Sequence, residues 1–490
     1  MLTLKPRMAS VFKIMTKHQI IAGSILIAIC FASVVFAFTK IQSSWWIEDD
    51  PILYSFAASA ESPLDFFTDR KILKNSGSGN EIFPVHFASF WVDSRIDFRS
   101  VQVCYVHNVL IFMATTITFF AVLLGFGVEG MQASMIVCTW MLLPATNVCQ
   151  AWMSTRSYMY GLFFSFLSIL ISQRLVKFPH LPALGMNLAL GAMVWMAMMS
   201  KEFFPITLLT FLVIYIFNGR SVSKWPTLAM LVGLGAAYAC YRIWALGLDL
   251  HYSGIQYLNA QDALTYLFKS PYLLTGNWLG YVPLGYLVFA IYDSAKRRTD
   301  CWKMHLTSLA VLWTAYLTLF PIWRGIFIHM NVQGPWQRSH FILNTVFITW
   351  IALTFQKARR TAWTLPCLVV FALASARGSH VAMKAWDKLR NANRIEGQFV
   401  LNHPKDILLD SAAAPWFIDG IRSLYSDLPT GRSIRLSDNV SPLYREVVAK
   451  DIPVWKRDKF GKMVAGRLIE KTVSLNDGTR TTKAELGKFQ

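Results

Sequence analysis

Apolar stretches of about 18 to 22 residues recur through the first three quarters of the chain, separated by short polar turns. That length matches the hydrocarbon core of a bilayer, where a backbone must satisfy its own hydrogen bonds and only helices or closed barrels survive. Stretches this long and this unbroken point to helices. Composition agrees: 54% of the 490 residues are apolar and only 15% charged, well under the roughly 25% usual in soluble domains.

About eleven spans follow, at 19–39, 104–127, 131–150, 157–175, 181–199, 203–217, 226–246, 272–292, 304–321, 340–356 and 361–376. Lys5, Arg7, Lys13 and Lys17 precede the first. Its apolar run is too long for the core of a signal peptide, so it reads as a retained helix with a cytoplasmic N-terminus. The even-numbered connections then face the cytoplasm and hold Arg174 and Lys177, Arg220 and Lys224, Lys296 to Lys303, and Lys357 to Arg360. This placement of Lys and Arg is the ordinary positive-inside signature. It accounts for much of the net charge of +19 without a nucleic-acid partner.

The expected architecture is therefore an all-α polytopic membrane module over 1–376, with a long first outer loop at 40–103. A small extracytoplasmic domain, mixed or irregular, occupies 377–490. The seven cysteines lie in or beside apolar segments with no CxxC or Cys/His spacing, so neither a disulfide framework nor a metal site is expected.

The candidate chemistry lies on the outer side. Glu48, Asp49 and Asp50 follow the first span in the run Trp45-Trp46-Ile47-Glu48-Asp49-Asp50-Pro51. Carboxylates at a bilayer edge are costly and mark function by default, and the two tryptophans favour the interface. The same topology brings cations from other helix ends to that side: Arg156, Lys201 with Glu202, Arg324, and Arg338 with His340. His86 lies in the aromatic stretch Phe83-Pro84-Val85-His86-Phe87 of the first outer loop and admits a structural reading beside a binding one. Outside the cytoplasm there is no nucleotide sugar, so a biosynthetic enzyme needs a donor already activated on a lipid. Cations hold and stabilise a leaving phosphate, and a carboxylate takes a proton from an acceptor hydroxyl.

These residues resemble the GT-C membrane glycosyltransferases, a group that includes the protein mannosyltransferases. The acidic pair Asp49-Asp50 in the first outer loop, the Trp152-x-x-x-Arg156 segment before a helix, Ser200-Lys201-Glu202 at a helix junction and Arg338 opening a late span carry the likeness over about 40–345. The chain departs from many relatives after Pro144, where Ala145-Thr146-Asn147-Val148 replaces a His and a Glu. The resemblance implies Asp49 as catalytic base, Asp50 as its supporting acid and Arg338 as a lipid-phosphate ligand; the residues themselves give no reason to invoke a metal or other cofactor, since cations of the protein can hold a lipid monophosphate. Length and layout look most like bacterial O-antigen glucosyltransferases of the serotype-converting kind. That implies an undecaprenyl-phosphate-glucose donor, a surface-glycan acceptor such as lipopolysaccharide and an inner-membrane location with a periplasmic tail. Two rival classes remain: a transporter or lipid flippase, and a non-catalytic envelope assembly protein.

Overall fold

The structure is a computed structural model that describes residues 17–39, 45–75, 82–177, 183–218, 224–247, 272, 274–296, 301–318, 340–357, 364–402, 407–410, 415–425, 433–435, 454–457, 462–474 and 480–488. Its helices, in chain order, are α1 (Lys17–Val34), α2 (Asp50–Ala58), α3 (Asp65–Thr68), α4 (Arg70–Asn75), α5 (Pro84–Ile96), α6 (Val101–Gly125), α7 (Gly130–Met141), α8 (Pro144–Ala151), α9 (Arg156–Lys177), α10 (Ala183–Met198), α11 (Phe204–Asn218), α12 (Lys224–Leu246), α13 (Tyr281–Lys296), α14 (Trp302–Thr318), α15 (Phe341–Lys357), α16 (Thr364–Asn402) and α17 (Pro415–Leu424). A π-helical turn at Val35–Thr39 ends the first span.

Five helices among the described residues are long and apolar enough to cross a membrane, over Ile21–Thr39, Val101–Gly125, Met153–Lys177, Lys224–Leu246 and Pro366–Asn402. Three shorter apolar helices lie at Leu184–Met198, Phe204–Ile216 and Phe341–Thr354. Three of the expected spans come out differently, and the one at 272–292 is broken by a turn at Gly276 and Asn277 before its helix begins at Tyr281. The span at 131–150 is two helices, α7 and α8, because Pro144 has no N–H to continue α7 and instead occupies the first turn of α8. The last span does not stop at 376: α16 runs for 39 residues, to Asn402. Polar residues such as Lys384, Arg390 and Glu396 sustain a helix as readily as apolar ones do, so the loss of hydropathy marks the end of the apolar stretch and not the end of the helix.

The chain forms two compact units. One comprises Met1–Gln42, Ser62–Ser89 and Cys104–Ala385; the other comprises Ser43–Glu61, Phe90–Val103 and Trp386–Gln490.

In the first unit Trp140 is a fully buried hub, with ring centroids 5.8 Å from Phe112, 5.5 Å from Phe119 and 6.0 Å from Phe341. Its indole N–H donates to Thr345 Oγ1 at 3.0 Å, so the polar atom is satisfied inside the core. Small residues let the helices approach. A Cβ on Gly23 of α1 would lie 2.2 Å from Ser134 Oγ on α7, the close small-residue contact that drives helix association in lipid. A cavity of about 420 Å³ lies among α9, α11, α14 and α15, walled by Phe166, Ile169, Phe211, Val311, Ile342 and Leu353. These walls fit hydrocarbon and offer little to a sugar.

The second unit carries a five-stranded sheet with order β2-β1-β3-β4-β5, from β1 (Ile407–Asp410), β2 (Ser433–Arg435), β3 (Val454–Arg457), β4 (Met463–Ser474) and β5 (Arg480–Lys488). β1 pairs in parallel with β2 and β3, and β3, β4 and β5 continue antiparallel. The tail is thus mixed α/β. In α17 the residues Phe417, Ile418, Ile421 and Leu424 are all buried, one helical face at the spacing amphipathic helices require.

The α1–α7 contact is open to a chemical check. Cys30 Sγ donates to the Cys138 carbonyl oxygen at 3.9 Å, and Cys138 Sγ to the Leu26 carbonyl oxygen at 3.8 Å, which sets the two thiols on facing helices. Mild oxidation of native membranes is expected to yield a peptide pair linked through Cys30 and Cys138 by mass spectrometry, absent in Cys138→Ser. Failure to form it under conditions that oxidise other thiols would refute this packing.

Candidate functional site

The acidic run folds into a tight turn at the start of α2, within the second unit. Asp50 is fully buried and its carboxylate accepts the Ile47 N–H at 3.1 Å, while its own N–H donates to the Ile47 carbonyl at 3.0 Å. This reciprocal pair closes the turn. Glu48, between them, takes a φ of 51°, a left-handed conformation that costs a non-glycine residue about 1–2 kcal/mol. Such strain persists only where the surroundings enforce it, and it gathers at functional sites.

Asp49, at the N-cap of α2, is less buried than Asp50, though one of its carboxylate oxygens is shut off from solvent, and its side chain makes no capping bond. Pro51 fills the first turn of that helix, where a missing N–H costs nothing. Trp46 backs the turn, fully buried with its ring 4.9 Å from Tyr54. Tyr54 in turn meets Phe90 edge-on and accepts the Arg99 N–H at 3.3 Å. The three acids therefore divide into a strained linker at Glu48, a buried structural acceptor at Asp50 and a less buried carboxylate, Asp49, at the head of α2.

The first unit holds the cationic residues. Arg156 begins α9, 0% exposed, and its guanidinium donates to Asn108 Oδ1 at 2.6 Å, the Cys104 carbonyl at 2.7 Å and Ser89 Oγ at 3.1 Å, with the His107 ring nitrogen 3.3 Å away. A buried guanidinium bonded on all edges is a strut, and its loss would leave those acceptors unsatisfied.

Lys201 is also buried. Its ammonium lies 4.7 Å from the centre of Phe83, 5.6 Å from Tyr158 and 5.9 Å from Phe203, an aromatic cage of the kind that stabilises a partly desolvated cation. Glu202 turns elsewhere, accepting from Arg242 Nε at 3.1 Å and from the Ile82 N–H at 3.3 Å. His86 completes the group: it is fully buried, with Arg156 and Lys201 near enough to act on its ring.

Among the site residues expected from sequence, the structure thus brings Glu48, Asp49 and Asp50 together in one unit, and His86, Arg156, Lys201 and Glu202 together in the other. His340 is buried just before α15. Arg324 and Arg338 lie outside the described residues. Three residues that sequence reasoning passed over have their place here. Arg242, in the apolar α12, partners Glu202; a lone arginine inside a span was the available signal. His107 links Arg156 to Tyr160, whose hydroxyl is 2.5 Å from the ring. Asp93 is buried completely in the second unit, and nothing in its local sequence marked it. Among the described residues no group of three or more His, Cys, Asp or Glu is arranged to hold a metal ion.

Burial holds the His86 pKa well below the ordinary 6.5, and the positive charges of Arg156 and Lys201 push it the same way. The folded protein therefore keeps His86 neutral where the unfolded chain protonates, so stability falls as pH drops through about 6.5. Thermal unfolding in detergent at pH 7.5 and 5.5 is expected to show this loss, and His86→Gln to reduce it. An unchanged pH slope in the variant would contradict the assignment.

No family model matches the chain, and no curated protein does. Among solved structures it is similar to ArnT from Cupriavidus metallidurans bound to undecaprenyl phosphate, with a TM-score of 0.48, 11% identity, and 88% of this chain and 92% of that one covered. The same protein in its apo state gives a TM-score of 0.47 at 10% identity over the same shares. An Archaeoglobus fulgidus oligosaccharyltransferase tethered with an acceptor peptide gives a TM-score of 0.46 and 11% identity, covering 97% of this chain and 75% of that one.

Proposed function

We propose that the chain is a GT-C type membrane glycosyltransferase that moves a monosaccharide from a polyprenyl phosphate to a hydroxyl of a surface glycan. Asp49 is the general base. The acceptor oxygen attacks the anomeric carbon as its proton passes to Asp49, the bond from that carbon to the phosphate oxygen breaks, and the lipid phosphate departs with the electron pair. Attack opposite the leaving group inverts the sugar carbon. Lys201, Arg338 and Arg324 are the cations that meet the growing phosphate charge. Arg156, committed to internal acceptors, braces the start of α9. In this reading the enzyme sits in a bacterial inner membrane with its tail in the periplasm, glucose is the sugar and O-antigen the acceptor.

The observation that carries the reading is the division of labour in the acidic turn. One aspartate is buried and committed to the backbone, and its less buried neighbour heads a helix at a strained turn. A merely solvating acidic run would need neither the burial of Asp50 nor the left-handed Glu48.

Replacing Asp49 by Asn is expected to lower transfer by about 10²- to 10⁴-fold, the usual worth of a positioned base, at unchanged membrane abundance. Asp50→Asn keeps an oxygen for the Ile47 N–H, so the loss there is smaller. Mass spectrometry of the surface polysaccharide from cells carrying each variant reads both outcomes. Full modification by Asp49→Asn would exclude it as the base, and would favour a transporter or an assembly protein.

A further inference from the structure

Within the second unit, the helix bearing the acids is gripped by the C-terminal tail. A Cβ on Gly420 of α17 would fall 2.4 Å from the Ile52 backbone nitrogen and 2.9 Å from its Cα and from the Pro51 carbonyl carbon. Real side chains do not come so close to backbone, so only glycine lets α17 lie against the first turn of α2. One turn along each helix, Ser55 Oγ and Ser423 Oγ share a hydrogen bond of 2.7 Å.

The C-terminal end of α17 is fastened as well. Arg99 donates from Nε to the Leu424 carbonyl at 2.8 Å and lies 5.4 Å from the Tyr425 ring. A cation bonded to a last-turn carbonyl satisfies the helix end and its dipole. Arg99 reaches it from a φ of 73°, a second strained non-glycine residue in the same unit. On the other flank, Gly397 of α16 faces the Trp45 indole, whose Nε1 would be 3.2 Å from a Cβ there. Trp45 to Ile52 is the segment that holds all three acids, and tail glycines meet it at both ends.

We propose that the tail positions the general base, with Gly420 and Gly397 as positioning residues that fix the register of α2. This rests on the functional reading above and refines it: the tail acts on turnover through α2 and does not serve merely to recognise the acceptor. An added methyl at Gly420 must push α2 by about 1 Å to reach ordinary contact, and a displacement of that order costs about 10²-fold in rate.

The test uses the full-length protein in proteoliposomes with a polyprenyl-phosphate sugar and an acceptor glycan. Gly420→Ala is expected to lower kcat by about 10²-fold while the KM for donor and acceptor stays within twofold. A kcat within twofold of the unmodified protein overturns the proposal, as does a raised KM at constant kcat. Ser55→Cys/Ser423→Cys gives an independent reading should Gly420→Ala fold poorly. The crosslinked protein is expected to keep its turnover; loss on crosslinking with recovery on reduction would mean that the helices part during the reaction, and overturns it. If the unmodified protein transfers no sugar, the functional reading falls and the catalytic role of the tail with it, whereas crosslinking alone reports the α2–α17 contact.

Discussion

The first unit is organised around a charge removed from water. Arg156 has no exposed surface, and a guanidinium in a low-dielectric interior survives only where acceptors surround it. Its acceptors come from two other helices, Ser89 on α5 and Cys104, His107 and Asn108 on α6. The start of α9 is thereby tied to the outer-loop helix and to a neighbouring span. Removing one partner of such a group typically costs about 3–5 kcal/mol, a large share of the stability of any domain. His86 lies in the field of that charge and of Lys201. The aromatic cage around Lys201 and the neutral state of His86 are answers to one problem, positive charge kept out of water.

Close approach of backbones is the second constraint, and glycine meets it in both units. In the membrane helices, Gly23 faces Ser134, and a Cβ on Gly378 would fall 1.7 Å from the Thr275 carbonyl oxygen. In the second unit Gly397 and Gly420 play the same part around the acidic turn. Lipid supplies no hydrophobic drive between helices, so contact there depends on packing of this kind. In the tail, α17 has an apolar face to bury, and the glycine decides how deeply it buries it.

Much of this was legible in the residues. Hydropathy located most of the helices because a bilayer admits little else, and the acidic run and Ser200-Lys201-Glu202 stood out as charges in an apolar chain. Hydropathy misjudged two helix ends for opposite reasons. It runs straight through Pro144, where the backbone cannot continue, and it falls away after 376, where the helix goes on. Partners were harder to read than sites. Glu202 bonds Arg242, forty residues away in the chain, a partner that the local letters do not name. Burial of Asp93 and Glu396 depends on contacts far apart in the chain, which no local pattern encodes.

The acidic triplet shows why residue type alone could not assign roles. Three carboxylates in a row repel one another, and a base is useful only if it is both ionised and within reach of its proton. Burying Asp50 against the Ile47 N–H takes one carboxyl group out of the run and gives it a fixed hydrogen bond. That bond fixes the turn, and the turn sets Glu48 in its left-handed conformation and Asp49 at the head of α2. The conformational cost at Glu48 is repaid by order, because a base on a rigid helix end needs less rearrangement to meet its substrate than one on a loose loop. The same reasoning explains why tail helices pack on this segment. A nine-residue helix such as α2 is too short to hold itself in water, so whatever precision the acid has must come from what α2 is packed against.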